Sequence, residues 1–159
     1  MRIVTQNYRD GKLRISDVPV PPTPENGVLV RTSSSLISAG TERMVTEIGS
    51  KSLIGKALAR PDLVKRMIEK AKSDGLRETL RSVRSRLDQS VPLGYSSAGI
   101  IIESNSSRSD SAIGQMVACF GVETASHAEF AAVPDNLWVK VPDGIPASAA
   151  AFAGVGAIA

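Results

Sequence analysis

The sequence predicts a mainly β fold of the α+β class, in which a barrel-like sheet carries a helical insertion at about residues 50–90. Two observations lead to this class. Short apolar segments recur at close spacing and are separated by glycine and proline, which is typical of barrels and sandwiches rather than of parallel sheets. Between residues 50 and 90, in contrast, apolar residues recur every three or four positions, as on one face of a helix.

The N-terminal part of the chain predicts three strands. Residues 3–8 and 12–16 form a hairpin, because the pair Asp10-Gly11 between them tolerates the positive φ angles of a tight turn. The prolines of residues 19–24 remove backbone donors and predict an extended connector. Residues 28–37 then form the third strand.

Helices are predicted after this strand. Thr41 can cap a short helix, and Pro61 stands in the first turn of a longer one. A third helix carries three arginines on its polar face, namely Arg77, Arg81 and Arg84. Residues 51–90 contain 11 of the 19 basic residues but only 5 of the 16 acidic ones, so the positive charge of the chain is concentrated there.

The second half of the chain returns to strands. The turn Gly94-Tyr95-Ser96 leads, through Gly99, into a buried strand that begins with three isoleucines. Three more strands follow, at residues 115–120, 126–133 and 137–141. From Pro146 an alanine-rich helix runs to the last residue and stays apolar, whereas a finished domain usually ends on solvated residues, so we expect the chain to belong to a longer protein.

The composition limits the class of protein. With 159 residues, 42% of them hydrophobic and 22% charged, the chain suits one soluble domain that needs no disulfide or metal for stability. Cys119 is the only cysteine, and the N-terminus has no apolar leader. No run approaches the roughly 18 apolar residues of a membrane span. We therefore expect a cytoplasmic protein and do not expect the membrane as a partner.

Four stretches, in this order, resemble the N-terminal, GroES-like catalytic domain of the medium-chain dehydrogenase/reductase superfamily, which includes the zinc alcohol dehydrogenases. They are residues 28–42, 92–102, 114–118 and 126–159. A closer resemblance is to the bi-domain oxidoreductases, in which a Gfo/Idh/MocA-like half follows. It is carried by residues 38–43, 56–63, 85–88 and 92–99.

The resemblance implies a GroES-like, partly open β-barrel. Residues 1–145 would be the substrate-side catalytic domain, and residues 146–159 would begin a cofactor-binding domain. The full-length protein would be an alcohol dehydrogenase-like oxidoreductase that uses NAD or NADP on a sugar or a related polar alcohol or carbonyl compound.

The positions that match the zinc ligands of the family carry other residues. Ser38 or Ala39 replaces the first cysteine, Tyr95 the histidine, Ser96 the glutamate and Val155 the late cysteine. A serine or a phenol is a poor zinc ligand at neutral pH, and valine is none. We therefore expect zinc-independent chemistry. Cys119, His127 and Glu129 could form another metal site, but three scattered ligands without a second histidine or cysteine favour structural roles.

Without zinc, hydrogen-bond donors must polarise a substrate carbonyl. Tyr95 and Ser96 are the catalytic candidates, since a phenol is protonated at neutral pH and can donate. Tyr95 could instead line a cleft or serve packing alone. Ser38 and Thr41 are the candidate substrate-binding hydroxyls.

The segment Gly154-Val155-Gly156 fits the dinucleotide pattern G-x-G-x-x-A only superficially, because it continues a helix instead of following a strand. The resemblance places Gly154 and Val155 beside the nicotinamide once the cofactor domain is present. We expect no tight NAD(P) binding by this chain alone.

The alternative function is a non-enzymatic GroES-like binding module whose basic insertion contacts an anionic partner. Nucleic acid is disfavoured because residues 51–90 contain no aromatic side chain for stacking. The expected partners are a small molecule, such as a sugar or nucleotide-sugar, and the remainder of the same polypeptide. The sequence leaves open whether the protein forms a homo-oligomer.

Overall fold

The computed structural model describes residues 1–7, 10–40, 42, 75 and 90–158. Within these residues the structure is mainly β, which confirms the predicted class. The strands are β1 (Arg2–Asn7), β2 (Leu13–Asp17), β3 (Gly27–Ser35), β4 (Ser90–Pro92), β5 (Ser96–Ser104), β6 (Met116–Phe120), β7 (Phe130–Pro134) and β8 (Trp138–Lys140). A 3-10 turn (Asp135–Leu137) precedes β8, and two short helices follow it, α1 (Ala147–Ala150) and α2 (Ala153–Gly156).

The predicted helical insertion lies outside the described residues, apart from Gly75 and Ser90. This also holds for the arginine face of the third predicted helix. None of the helices within the described ranges has the length and hydropathy to cross a bilayer.

The chain divides into two compact units. One contains Met1–Val4, Ile15–Ser38 and Pro92–Ala159, and the other contains Thr5–Arg14 and Ala39–Val91. The strands form a three-stranded sheet in the order β2-β1-β4 and a five-stranded sheet in the order β7-β3-β5-β6-β8. The five-stranded sheet belongs wholly to the first unit and curls into a half-barrel.

Strands β3 and β5 form the centre of the five-stranded sheet and pair antiparallel. Gly99 lies inside β5, whereas the sequence predicted that the strand begins after it. A Cβ at Gly99 would overlap the carbonyl oxygen of Arg31 and lie 2.8 Å from Cγ1 of Val30. Glycine is therefore required here so that β3 and β5 can approach each other.

The core of the first unit consists of two clusters. Because neighbouring residues of a strand point to opposite faces, Ala118 and Cys119 of β6 belong to different clusters. The larger cluster consists of Val28, Val30, Ile101, Val117, Cys119, Ala125, Ala131, Val133 and Trp138. The smaller one consists of Ala98, Ala118, Val141, Ala150 and Ala151. Its small side chains let helix α1 lie close to the sheet.

Two further boundaries differ from the prediction. Strand β7 begins at Phe130 rather than at residue 126, because the segment before it makes only an isolated bridge, between Ala128 and Ile3, and does not continue the ladder with β3. The predicted C-terminal helix is interrupted between α1 and α2, at Ala151 and Phe152.

Candidate functional site

The candidate site is built around Gly94-Tyr95-Ser96, which leads from β4 into β5 and includes Ser96, the first residue of β5. Gly94 has a φ of +92°, a conformation that favours glycine. The imidazole of His127 lies directly against it, since a Cβ at Gly94 would be 2.9 Å from both Cε1 and Nδ1 of that ring. The backbone and packing around Gly94 thus fix how the next two residues are presented.

Tyr95 is half-buried, and its ring rests on Phe120. The two rings meet edge to face, with centroids 5.6 Å apart and an interplanar angle of 84°. The Tyr95 carbonyl accepts a hydrogen bond from Gly121 N–H at 2.8 Å. Within residues 1–7, 10–40, 42, 75 and 90–158, no group is hydrogen-bonded to the Tyr95 hydroxyl. The contact with Phe120 therefore holds the ring without using its hydroxyl.

Ser96 has a different environment from Tyr95. Its residue is 1% exposed, and its hydroxyl donates to the carbonyl oxygen of Ala151 at 2.6 Å. The sequence makes Ser96 a catalytic candidate, and in the structure its side chain points to the end of helix α1. Its hydroxyl proton is committed to a buried backbone carbonyl, so the geometry gives Ser96 a structural hydrogen bond.

Gly154 and Val155 lie in helix α2 and are both half-buried. A Cβ at Gly154 would overlap Cδ2 of Phe120 and lie 2.7 Å from its Cγ, so the backbone of α2 lies directly on the Phe120 ring. Phe120 thus contacts both Tyr95 and Gly154. The structure brings these two predicted residues to the same aromatic side chain.

The two predicted substrate-binding hydroxyls differ in what the structure shows. Ser38 is half-buried, two residues after Leu36, whose backbone N–H donates to the Ser96 carbonyl at 2.9 Å. The Ser38 segment is therefore tied to the start of β5. Thr41 lies outside the described residues, and its role stays a prediction.

The three alternative metal ligands are each engaged elsewhere. Cys119 is buried in the core, and burial raises its pKa to about 12. Glu129 accepts hydrogen bonds at 2.8 Å from the backbone N–H and from the guanidinium of Arg2, which lower the pKa of its carboxyl. His127 Nδ1 lies 2.9 Å from Oγ of Ser35. Across the described part of the chain, no three histidine, cysteine or acidic residues come together as metal ligands would.

The glycine pattern near the C-terminus does not form a phosphate-binding loop. Gly154-Val155-Gly156 lies within helix α2 and follows helix α1, whereas a dinucleotide loop connects a strand to a helix. This agrees with the expectation drawn from the sequence. Any phosphate contacts of a dinucleotide would have to come from other residues.

An apolar groove of about 380 Å³ lies between α2 and strands β6 and β8. Phe120 and Gly154 line it together with Leu137 and Val139. Sequence reasoning did not select Phe120 as a site residue. A single aromatic residue at the end of a short strand gave no signal, because its role arises from contacts with residues 25 and 34 positions away.

Comparison with solved structures finds the same fold in several oxidoreductases. The quinone oxidoreductase from Coxiella burnetii superposes with a TM-score of 0.61 at 15% identity, over 97% of this chain and 41% of that protein. Galactitol-1-phosphate dehydrogenase from Escherichia coli superposes with a TM-score of 0.62 at 17% identity, over 96% of this chain and 41% of that protein. The quinone oxidoreductase from Thermus thermophilus, whose structure was also solved with NADPH, superposes with a TM-score of 0.56 at 18% identity. The match covers 95% of this chain and 36% of that protein.

These proteins belong to the superfamily that the sequence resembles, so the predicted resemblance is confirmed at the level of the fold. The chain spans about two fifths of their length. No protein-family model and no curated protein sequence matches the chain.

Proposed function

We propose that this chain is the substrate-side domain of an alcohol dehydrogenase-like, NAD(P)-dependent oxidoreductase that works without zinc. The observation that carries the proposal is that almost the whole chain adopts the fold of about 41% of a quinone oxidoreductase and of a polyol-phosphate dehydrogenase. Residues 1–145 form the substrate-side domain in this proposal, and residues 146–159 begin the cofactor-binding domain.

The chemistry of the available side chains supports zinc-independent catalysis. The Ser96 hydroxyl is already bonded to the Ala151 carbonyl, and Val155 has no donor atom. Tyr95 offers a phenol, which is a poor ligand compared with thiolate, imidazole or carboxylate. These groups do not fit a catalytic zinc ion.

Tyr95 is the proposed hydrogen-bond donor to the substrate oxygen. A preorganised donor stabilises the negative charge that develops on a carbonyl oxygen during reduction. The edge-to-face contact with Phe120 fixes the Tyr95 ring without using its hydroxyl. Ser38 and Thr41 are proposed to bind other hydroxyl groups of the substrate, which suits a sugar or another polar alcohol.

This chain would contribute only part of the cofactor-binding site. Nicotinamide would donate the hydride to a carbonyl substrate or accept it from an alcohol. Gly154 and Val155 are proposed to lie beside the nicotinamide. The described residues contain no strand-loop-helix glycine motif for its phosphates, so tight binding requires a further domain. The superposition on proteins solved with NADPH and with NADP supports this cofactor class.

The test is a steady-state assay of the complete native polypeptide against two panels. Polar sugars and polyols form the first, with NADH or NADPH for the carbonyl compounds and NAD+ or NADP+ for the alcohols, and quinones with NADH or NADPH form the second. We expect turnover of compounds in the first panel, and we expect it to persist after the protein is dialysed against a chelator. The zinc content of the dialysed protein is measured as a control. Activity that is lost with zinc and restored by it would contradict zinc independence. Turnover in neither panel, with salt-dependent binding of polyanions, would favour the binding module.

The role of Tyr95 is tested in the same assay by two variants. Tyr95→Phe keeps the ring on Phe120 and removes only the hydroxyl, whereas Tyr95→Leu removes both. For a donor, we expect kcat to fall about 100-fold in the Phe variant, within the range typical of a lost general acid or oxyanion donor. Unchanged kcat in Tyr95→Phe would overturn the donor role and leave cleft lining or packing.

A further inference from the structure

We infer that Ser96 is a positioning residue, which holds the connection between helices α1 and α2 in register with strand β5 and thereby sets the Tyr95 hydroxyl relative to Gly154. The inference rests on the proposed function for its catalytic consequence. Its structural basis is the 2.6 Å hydrogen bond from the Ser96 hydroxyl to the Ala151 carbonyl, which joins residues 55 positions apart in the chain.

The Ala151 carbonyl lies where a helix needs an outside donor. Ala151 is the C-cap of α1, and the last carbonyls of a helix have no partner within it. Ala151 is 1% exposed, so water does not readily supply that donor. The buried hydroxyl of Ser96 does so.

Among the described residues, the other contacts between α1 and the sheet are apolar. They come from Ala98, Ala118, Val141, Ala150 and Ala151, with Leu36, Met116 and Ala147 packed against them. Apolar contact is not directional, so it holds the helix close with little control of its position along the strand. A hydrogen bond has a required distance and angle. Ser96 is therefore the contact within this cluster that defines the register.

Ser96 also lies where three parts of the candidate site meet. Its carbonyl accepts from Leu36 N–H, near Ser38, and its register partner across the sheet is Phe120. Phe120 contacts both Tyr95 and Gly154. A shift of α1 and α2 would therefore be transmitted to the Tyr95 ring through Phe120.

Two alanine variants test the inference on the complete native polypeptide. Ser96→Ala removes the bond to Ala151. Ser97→Ala is the matched control, because Ser97 is the next residue of the same strand, is also 1% exposed and faces the opposite side. Amide hydrogen exchange is followed at the helix amides of Ala151, Phe152, Gly156 and Ala157, with Thr32 and Ile101 as reference amides in the sheet.

For Ser96→Ala we expect exchange at the four helix amides to accelerate about tenfold, as for the loss of one buried hydrogen bond, with the two sheet amides unchanged. Ser97→Ala leaves the helix amides at their native rates. In the oxidoreductase assay, Ser96→Ala lowers kcat about tenfold per folded molecule while the KM for NAD(P) changes less than about twofold. Equal effects of the two variants on exchange, or native kcat in Ser96→Ala with accelerated exchange, would overturn the inference.

Failure of the proposed function is recognised separately. In that case the wild-type protein shows no nicotinamide-dependent turnover, while the exchange experiment still reports whether Ser96 holds α1 and α2 in place.

Discussion

The ring of Phe120 occupies the space that Gly154 leaves open by having no side chain. A Cβ at Gly154 would overlap Cδ2 of the ring and lie 2.7 Å from Cγ and 2.9 Å from Cε2. The same ring supports Tyr95 by an edge-to-face contact. One aromatic side chain therefore connects the proposed donor of the substrate site to the segment proposed to lie beside the cofactor.

Substitution of this glycine tests the contact. We expect Gly154→Ala to reduce the free energy of unfolding by about 1–3 kcal/mol, since the added methyl group forces the Phe120 ring to move in a packed region. Gly156→Ala is the control in the same helix, because nothing lies within 4 Å of its Cβ position. There we expect no loss, and a gain of up to about 1 kcal/mol from the better helix propensity of alanine. Urea denaturation measures both, and equal stability of the two variants would contradict the close contact.

The buried thiol should be unreactive in the folded protein. Burial raises the pKa of Cys119 from 9.0 to about 12, so the thiolate fraction at pH 8 falls by about a thousandfold. We expect iodoacetamide to label Cys119 at the rate at which the fold opens, and to label it rapidly in concentrated urea, a denaturing control. Mass spectrometry at successive times measures the rate. Labelling of the folded protein as fast as of a small-molecule thiol would show that Cys119 is accessible.

The same pKa shift has a consequence at alkaline pH. Because the folded-state pKa is raised, the folded state retains its thiol proton at pH values where the unfolded chain loses it. The free energy of unfolding should therefore fall as the pH rises from about 9 towards 12. Cys119→Ser should weaken this pH dependence. The variant should also be less stable at neutral pH, because it buries a hydroxyl group. Thermal unfolding between about pH 8 and pH 10.5 measures the slope. An identical slope in the wild-type protein and in Cys119→Ser would contradict the attribution of this pH dependence to Cys119.

Arg108 joins a polar loop to strand β8. Its guanidinium carbon lies 3.9 Å from the centroid of the Trp138 ring, and Nη1 donates to the Asp135 carbonyl at 2.8 Å. We expect Arg108→Gln to destabilise the protein by about 1 kcal/mol, since a cation-π contact at a partly exposed site contributes about 0.5–1 kcal/mol and a hydrogen bond is also lost. Arg31→Gln, at an exposed position in β3, is the control. Unfolding followed by Trp138 fluorescence reports the difference, and equal midpoints would argue against the contact.

Acid should weaken the same loop. The hydrogen bonds from Arg108 lower the pKa of Asp110, so the unfolded state takes up this proton at a higher pH than the folded state. The stabilisation is complete above the ordinary carboxyl pKa of about 4 and is lost as the pH falls through the lowered folded-state value. We expect Asp110→Asn to reduce the loss of stability between about pH 5 and pH 2.5, measured as the urea midpoint. Asp143→Asn, at an exposed turn, is the control and should leave that loss of stability unchanged. A reduced loss in Asp143→Asn together with an unchanged loss in Asp110→Asn would refute the role of Asp110.

The sequence by itself determined the mainly β class and the position of most strands, because alternating apolar residues and turn-forming pairs such as Asp10-Gly11 act locally. It also determined the chemistry available at Tyr95, Ser96 and Val155, since the residue type alone decides which atoms can bind zinc. The rejection of Gly154-Val155-Gly156 as a phosphate loop likewise followed from local context.

Only the tertiary structure decided how these residues are used. Tyr95 and Ser96 are neighbours in sequence with similar hydroxyl chemistry, yet one rests on Phe120 and the other is bonded to Ala151. Which side chain bonds to the helix depends on the face of β5 that helix α1 covers. That choice is made by packing between segments 55 residues apart, and no local pattern in the sequence encodes it.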